Sequence, residues 1–278
     1  MKEVNDGTNY VNVFNNINEF LKYLERPHKS GRDKSSQEKG DYSFYGTGSY
    51  EDAIKLIKNG DDELFDEVMK ETAKIKINKD LGNLKNRLRY ENNVYGFVPN
   101  VPNMMVGSPL TMINAKRDGI SKKIVNIFLN IRVSGFIDKD EIIRIGTKYL
   151  NVIDLLEKNG YRCNLYSGCA NEKYGKHSLL MVRVKTDREP LNLKKICFTI
   201  ANPSMQRRLK FKWMEVNDGP DFTDGYGQIE NEWYIKKELK DVLKEEMIIW
   251  NYEDKDLRAK SVEDITRDLK KYGIEINI

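Results

Sequence analysis

Three groups of residues in this chain have types and spacings that could do chemistry. The first is acidic: Asp218, Asp221, Asp224 and Glu230 lie close together in the glycine-rich stretch NDGPDFTDGYGQIENE. Carboxylates gathered in this way hold a hard divalent cation, which can activate water for phosphoryl or phosphodiester chemistry. An EF-hand register does not fit, because placing Gly225 at the turn glycine puts Pro220 and Asn231 at the terminal ligand positions. The second group is Cys163, Cys169 and His177, whose side chains could bind zinc. Their spacing matches no common finger or ribbon, and a cysteine in a strand more simply serves as a small hydrophobe. The third group is basic: QRRLKFKW places Arg207, Arg208, Lys210 and Lys212 around one helix with Phe211 and Trp213 between them. Cations for phosphates beside aromatics for stacking are what a nucleic-acid surface requires.

Other chemistries find little support. A serine or cysteine hydrolase needs a histidine base, and His28 and His177 are the two histidines of the chain; no GxSxG elbow is present. YGTGSYED sets Gly46 and Gly48 before a helix capped by Ser49, but it lacks both the P-loop lysine and the third glycine of a dinucleotide fingerprint. A tight turn into a capped helix is the simpler reading, and no cofactor is expected.

The elements that must position these groups follow from periodicity. Val13, Ile17, Phe20, Leu21 and Leu24 share one face of a helix that stops before Pro27. Residues 27–40 are charged and nearly free of apolar side chains, which predicts a mobile surface loop. Ser49 and Gly60 bound a short helix, and Asp61 opens a longer one. The proline-rich stretch 94–114 is too apolar to stay in water, so it is expected to be a buried strap between the N-terminal region and the sheet.

KIVNIFLNIRVSG alternates strictly, as a strand with one buried face does, and a helix over 139–159 follows. YRCNLYS and SLLMVRVKT read as a hairpin joined by the turn-rich SGCANEKYGKH. A helical region begins near 191, breaks at Asn202 and Pro203, and resumes with Met205, Leu209, Trp213 and Val216 in one stripe. A helix capped by Ser261 and Asp264 precedes a terminal strand, IEINI.

The expected class is α+β: a central mixed sheet in strand, helix, strand, strand, helix order, ferredoxin-like or von Willebrand A-like, after a helical N-terminal third. Residues 1–114 form the helical region with its strap, and 115–278 the α/β core, in one compact unit. In a von Willebrand A-like reading, the metal-binding Asp-x-Ser-x-Ser keeps only Ser134.

Composition sets the outer bounds. With 39% hydrophobic residues and no long apolar run, the chain reads as a folded, soluble, cytoplasmic protein without a membrane partner. A net charge of +4, from 47 basic against 43 acidic residues, permits nucleic-acid binding without requiring it. Three cysteines make no disulfide framework.

The phrases FYGTGSYEDAIKLIKNG, VPNVPNMMVGSPLTMI and ICFTIANPSMQRRLKF, in this order, resemble a family of uncharacterised bacteriophage-encoded proteins. The resemblance covers roughly residues 13–215 and brings no assigned activity, so no catalytic residue carries over. It implies a viral or mobile-element gene. The functional expectation is a non-enzymatic phage accessory protein that binds nucleic acid or a host or viral protein, such as a defence component, in the host cytoplasm. The alternative is a metal-dependent phosphoryl or phosphodiester enzyme built on the acidic loop at 218–232.

Overall fold

The alternating segment in the middle of the chain forms a strand, Ile124–Asn130, labelled β6 below. In the computed structural model, which describes residues 1–74, 88–117, 123–223, 226, 228–244 and 246–276, this strand is built into a seven-stranded mixed sheet. Its other strands are β1 (Lys2–Asn5), β2 (Asn9–Phe14), β7 (Arg162–Lys173), β8 (Lys176–Lys185), β9 (Gln228–Ile229) and β10 (Ile248–Asn251). The order is β1-β2-β8-β7-β6-β10, with the short β9 on the far part of β7.

β6 runs parallel to both β7 and β10, whereas β7 and β8 form an antiparallel hairpin. Because β6 and β7 pair directly, no strand separates them as one would in a split βαβ unit. Helices with a mixed sheet make the class α+β, as the patterning predicts.

Both faces of the sheet are covered. Val125, Ile127 and Leu129 face the larger core, which α6 (Lys139–Lys158) and α7 (Leu193–Ala201) help to build. Phe128 turns the other way, into a smaller cluster closed by Ile235 and Leu239 of α9 (Glu232–Leu243). Gly146 sets the approach of α6 to α7, since a Cβ there would lie 2.7 Å from the Ala201 Cα. Asp138 starts α6 by accepting from the Glu141 amide, and helical spacing then buries Ile142, Ile145, Tyr149, Val152, Ile153 and Leu156.

Between Ile17 and Lys74 the regular elements are helices, among them α1 (Ile17–Leu24), α2 (Tyr42–Tyr45), α3 (Tyr50–Asn59) and α4 (Asp62–Lys74). The N-terminal third begins, however, with two strands. Val13 belongs to β2, opposite Met181 of β8, and not to the first helix. The run Tyr10 to Phe14 is buried on both faces, and a strand satisfies that where a one-sided helix could not. Asn16 then caps α1 through the Glu19 amide.

The hairpin is longer than expected, since residues read as a connection, Gly168 to Lys173, are strand. Only Tyr174 and Gly175 turn, both at positive φ (53° and 72°), the geometry of a two-residue hairpin loop.

Other expectations are corrected. Residues 27–40 are not a detached loop: Arg32 donates to the carbonyls of Asn217 (3.0 Å) and Gly219 (2.6 Å), and Ser36 is buried. The proline-rich stretch is not a buried strap. It forms β4 (Val98–Pro99), α5 (Val101–Met105) and part of β5 (Met112–Arg117), and with β3 (Leu88–Asn93) makes a separate three-stranded antiparallel sheet. Val98, Val101, Met104, Val106 and Leu110 are exposed, and Met105 is 83% exposed. Most of the polar segment 78–93 lies outside the described residues.

At the C-terminal end, α10 (Lys255–Ala259) leads to α11 (Val262–Asp268), where Ser261 and Asp264 form the expected capping box. Ile274–Ile276 form no strand, although Ile274 and Ile276 are buried.

Candidate functional site

After α7 the chain breaks at Asn202 and Pro203, then continues as a π-helix over Met205–Lys210 and as α8 (Phe211–Val216). The expected stripe of Met205, Leu209, Trp213 and Val216 is buried as predicted. The cations beside it are buried too, which corrects the expectation that Arg207, Arg208, Lys210 and Lys212 form a phosphate-binding surface.

Each of the four heads is engaged inside the protein. Arg208 (0% exposed) donates to the Thr47 hydroxyl (2.9 Å) and to the carbonyls of Ser36 (3.1 Å), Glu38 (2.7 Å) and Thr47 (2.9 Å), with Tyr45 stacked at 4.2 Å. It ties residues 36–47 to the helix. Arg207 donates to the carbonyls of Phe44 (2.8 Å), Ser134 (3.2 Å) and Ile137 (2.6 Å). Lys210 is fully buried, with its ammonium on the Gly168 carbonyl, and burial lowers its pKa to about 7. Lys212 donates to His28, whose own pKa is lowered by burial and by that neighbouring cation. Glu215, raised by burial, accepts from the Ser36 amide (2.8 Å) and the Tyr226 hydroxyl (3.0 Å). Together these contacts bind the polar segment 28–47 to the π-helix and α8.

The acidic residues do not converge. Asp218 pairs with Arg26 (3.0 Å) and Lys29, Asp221 accepts from the Thr223 amide and hydroxyl (2.8 and 2.7 Å), and Glu230 pairs with His177. Asp224 lies outside the described residues. Among the described residues no group of three His, Cys, Asp or Glu side chains is placed to hold a metal ion.

The soft cluster is likewise dispersed. Cys163 and Cys169 are buried in β7 and burial pushes both thiols up, Cys163 to about 12, while His177 stacks on Tyr234 at 4.1 Å. Gly46 ends α2 at φ 78°, against Asn202 and Pro203, so this glycine serves a tight turn.

Two other features remain. A cavity of about 270 Å³ opens just past the carboxyl end of β6, lined by Arg132, Gln206, Arg207 and the rings of Phe44, Tyr45, Phe211 and Tyr226. The small sheet, in contrast, presents Tyr90 (62% exposed), Tyr95 and Phe97 (61%), with the Tyr90 and Phe97 rings 6.1 Å apart. Sequence reading saw the apolar character of the second feature but assigned it to burial. It missed the first because Arg132 stands alone in an apolar run just after β6 and Gln206 carries no charge.

A family model described as a domain of unknown function (DUF7192) matches residues 2–275. The chain belongs to the DUF7192 family. The match spans the main sheet and the small sheet alike, so both are parts of one DUF7192 unit. No curated protein and no solved structure matches this DUF7192 chain. Among its described residues no helix is long and apolar enough to cross a membrane.

Proposed function

We propose that this chain is a non-enzymatic accessory protein of a bacteriophage or related mobile element. In this reading it works in the host cytoplasm by binding nucleic acid through its small sheet. The observation that carries the reading is the exposure of Tyr90 on β3 and of Tyr95 and Phe97 in the connection from β3 to β4, with the Tyr90 and Phe97 rings side by side. Large rings left in water over so short a stretch mark a binding surface. Their sequence context favours a polyanion, since residues 75–122 hold eight Lys and Arg against three Asp and Glu, an excess above the +4 of the whole chain. Stacking on rings with cations nearby is how single strands are held without sequence preference. The alternative, a metal-dependent phosphoryl or phosphodiester enzyme, draws no support from Asp218, Asp221 and Glu230, each of which is tied to a different partner.

Fluorescence anisotropy with labelled single-stranded DNA and RNA across a salt series tests this reading. The wild type should bind with salt-dependent affinity, and Tyr90→Ala, Tyr95→Ala and Phe97→Ala combined should weaken binding about tenfold or more, at about 1–3 kcal/mol per stacked base. The melting temperature should not move, because all three rings are exposed. Absence of binding at low salt, or unchanged affinity in the triple variant, would transfer the surface to a protein partner.

A further inference from the structure

We infer that α5 and the loop after it form a self-association surface, on which a second copy of this chain packs α5 against α5 across a two-fold axis. This surface is distinct from the rings of Tyr90, Tyr95 and Phe97, on which the proposed function rests.

Local hydrogen bonds hold the surface in shape. Asn100 caps α5 by accepting from the Asn103 amide at 3.3 Å, and its own amide donates to the Thr111 carbonyl at 2.8 Å. The Asn100 side chain also donates to Asn92 of β3 (2.8 Å), and that of Asn103 to the Leu110 carbonyl (2.9 Å). Helix, loop and small sheet are thereby tied together. Val101, Met104 and Met105 stand at i, i+3 and i+4, so they share one side of the helix. Val106, 79% exposed, follows directly, and the Asn103 contact keeps Leu110 close by. Groups that are already ordered lose less entropy when a partner arrives.

Exposure on this scale is out of keeping with the rest of the molecule. About half of the large apolar side chains that are exposed among the described residues lie between Tyr90 and Leu110. Monomeric soluble proteins rarely show so much apolar surface in one place, and such a patch marks an interface.

Charge identifies the occupant. Residues 94–114 hold no Asp, Glu, Lys or Arg, in a chain of which 32% is charged. A two-fold axis presents each patch to itself, so a patch with charge of one sign meets repulsion there. The uncharged stretch meets itself without it. Methionine and aliphatic side chains free of charged neighbours are also the composition of a homodimer core. Nucleic acid fits α5 poorly, because stacking needs rings and phosphates need cations, and the helix offers neither. Membrane surfaces draw helices with Lys or Arg beside the apolar face, which this stretch lacks. Nor do copies join by extending the small sheet at β4, an edge strand of two residues that includes Pro99. The patch is small, and interfaces at the low end of the size range serve transient contacts, so the dimer is of micromolar strength and the dilute chain is monomeric.

Sedimentation velocity of the full chain from about 1 to 200 µM tests the surface. A reversible equilibrium between monomer and dimer is expected. Met105, the most exposed of these side chains, is placed at the axis. Met105→Glu should therefore weaken association about tenfold or more by setting two carboxylates against each other, and Met105→Lys should do the same with two ammonium groups. An equimolar mixture of the two variants should dimerise again, because opposite charges then meet across the axis. Melting at about 1 µM, where mass action leaves the monomer, should match wild type in both variants, which separates loss of the dimer from loss of the fold. Alanine at Tyr90, Tyr95 and Phe97 should leave the dimer intact, so this surface and the nucleic-acid reading fail separately. A chain that stays monomeric throughout the range, a dimer that Met105→Glu leaves at wild-type strength, or a mixture that does not reassociate would overturn the inference. Binding of a monomeric chain to phosphatidylserine vesicles, lost in Met105→Glu, would overturn it in favour of a lipid surface.

Discussion

Lys210 has no exposed surface, and its ammonium lies on the Gly168 carbonyl. Its folded pKa, about 7, is far below the 10.5 of a free lysine. Below pH 7 the amine is charged in folded and unfolded chains alike, and the folded state bears the full cost of burying it. Between pH 7 and 10.5 the unfolded chain binds more protons, so the stability of the folded state rises with pH. Lys210→Met keeps most of the volume and removes the charge. The variant should be more stable than wild type in melts below pH 7, with an advantage that shrinks as the pH approaches 10; a difference constant across that range would show that the buried charge is not its cause. From the sequence, a wheel at 3.6 residues per turn puts Lys210 with Arg207 and Arg208 on a solvated face. The wheel fails because the turn is π and because a polar segment covers it, holding on by hydrogen bonds that Arg208 and Arg32 donate and Glu215 accepts, which leave no trace in apolar content.

Among the elements, those with one strong period were legible: β6, α6, and the capped helices beginning after Ser49 and Ser261. Their boundaries follow from local chemistry that each residue carries itself. The hairpin was legible as a pairing but not in its extent, because Gly168 and Asn171 resemble loop residues while being buried in β7. Gly168 is needed there, since a Cβ would meet the Leu180 carbonyl oxygen at 1.9 Å. The turn itself is improvable. Tyr174 holds a left-handed conformation that Asn adopts more readily, so Tyr174→Asn should stabilise the fold by about 0.5–1 kcal/mol, seen as a rise of about 2 °C in melting temperature. The small sheet gives the opposite lesson, that apolar composition alone does not tell a buried segment from an exposed binding one. Met105→Ala with Leu110→Ala should leave the melting temperature within about 1 °C of wild type, because Met105 already stands in water and Leu110 is exposed. A fall of several degrees would restore the structural strap.

At the scale of the whole molecule, the N-terminal strands close one side of the sheet. β2 covers the edge of β8, and β1, with its exposed Lys2–Asn5, makes the outer strand polar and short. Asn12 of β2 also accepts from the Trp213 indole at 2.8 Å, so this strand is fastened to α8 as well as to the sheet. Removing residues 1–14 would leave the apolar β8, with Leu179 and Met181, as an open edge. Such an edge pairs with other chains, so the truncated protein should elute as oligomers or aggregate in size-exclusion chromatography, whereas elution as a stable monomer would show β2 to be dispensable. The sequence could not show this partnership, since pairing between Val11 and Leu179 depends on a register set across most of the chain.

That long-range pairing also constrains how the protein is made. On a ribosome β2 emerges long before β8, and its segment Tyr10 to Phe14, buried in the finished fold, has only β1 to pair with while more than half of the chain is synthesised. Contacts of such high sequence separation slow folding and lengthen the time during which apolar strand surface is available to other chains. Nascent chains of this family should therefore depend on holding chaperones until β8 is complete, and a ribosome-stalling series should show the N-terminal segment becoming protease-resistant only after residue 185 has cleared the exit tunnel.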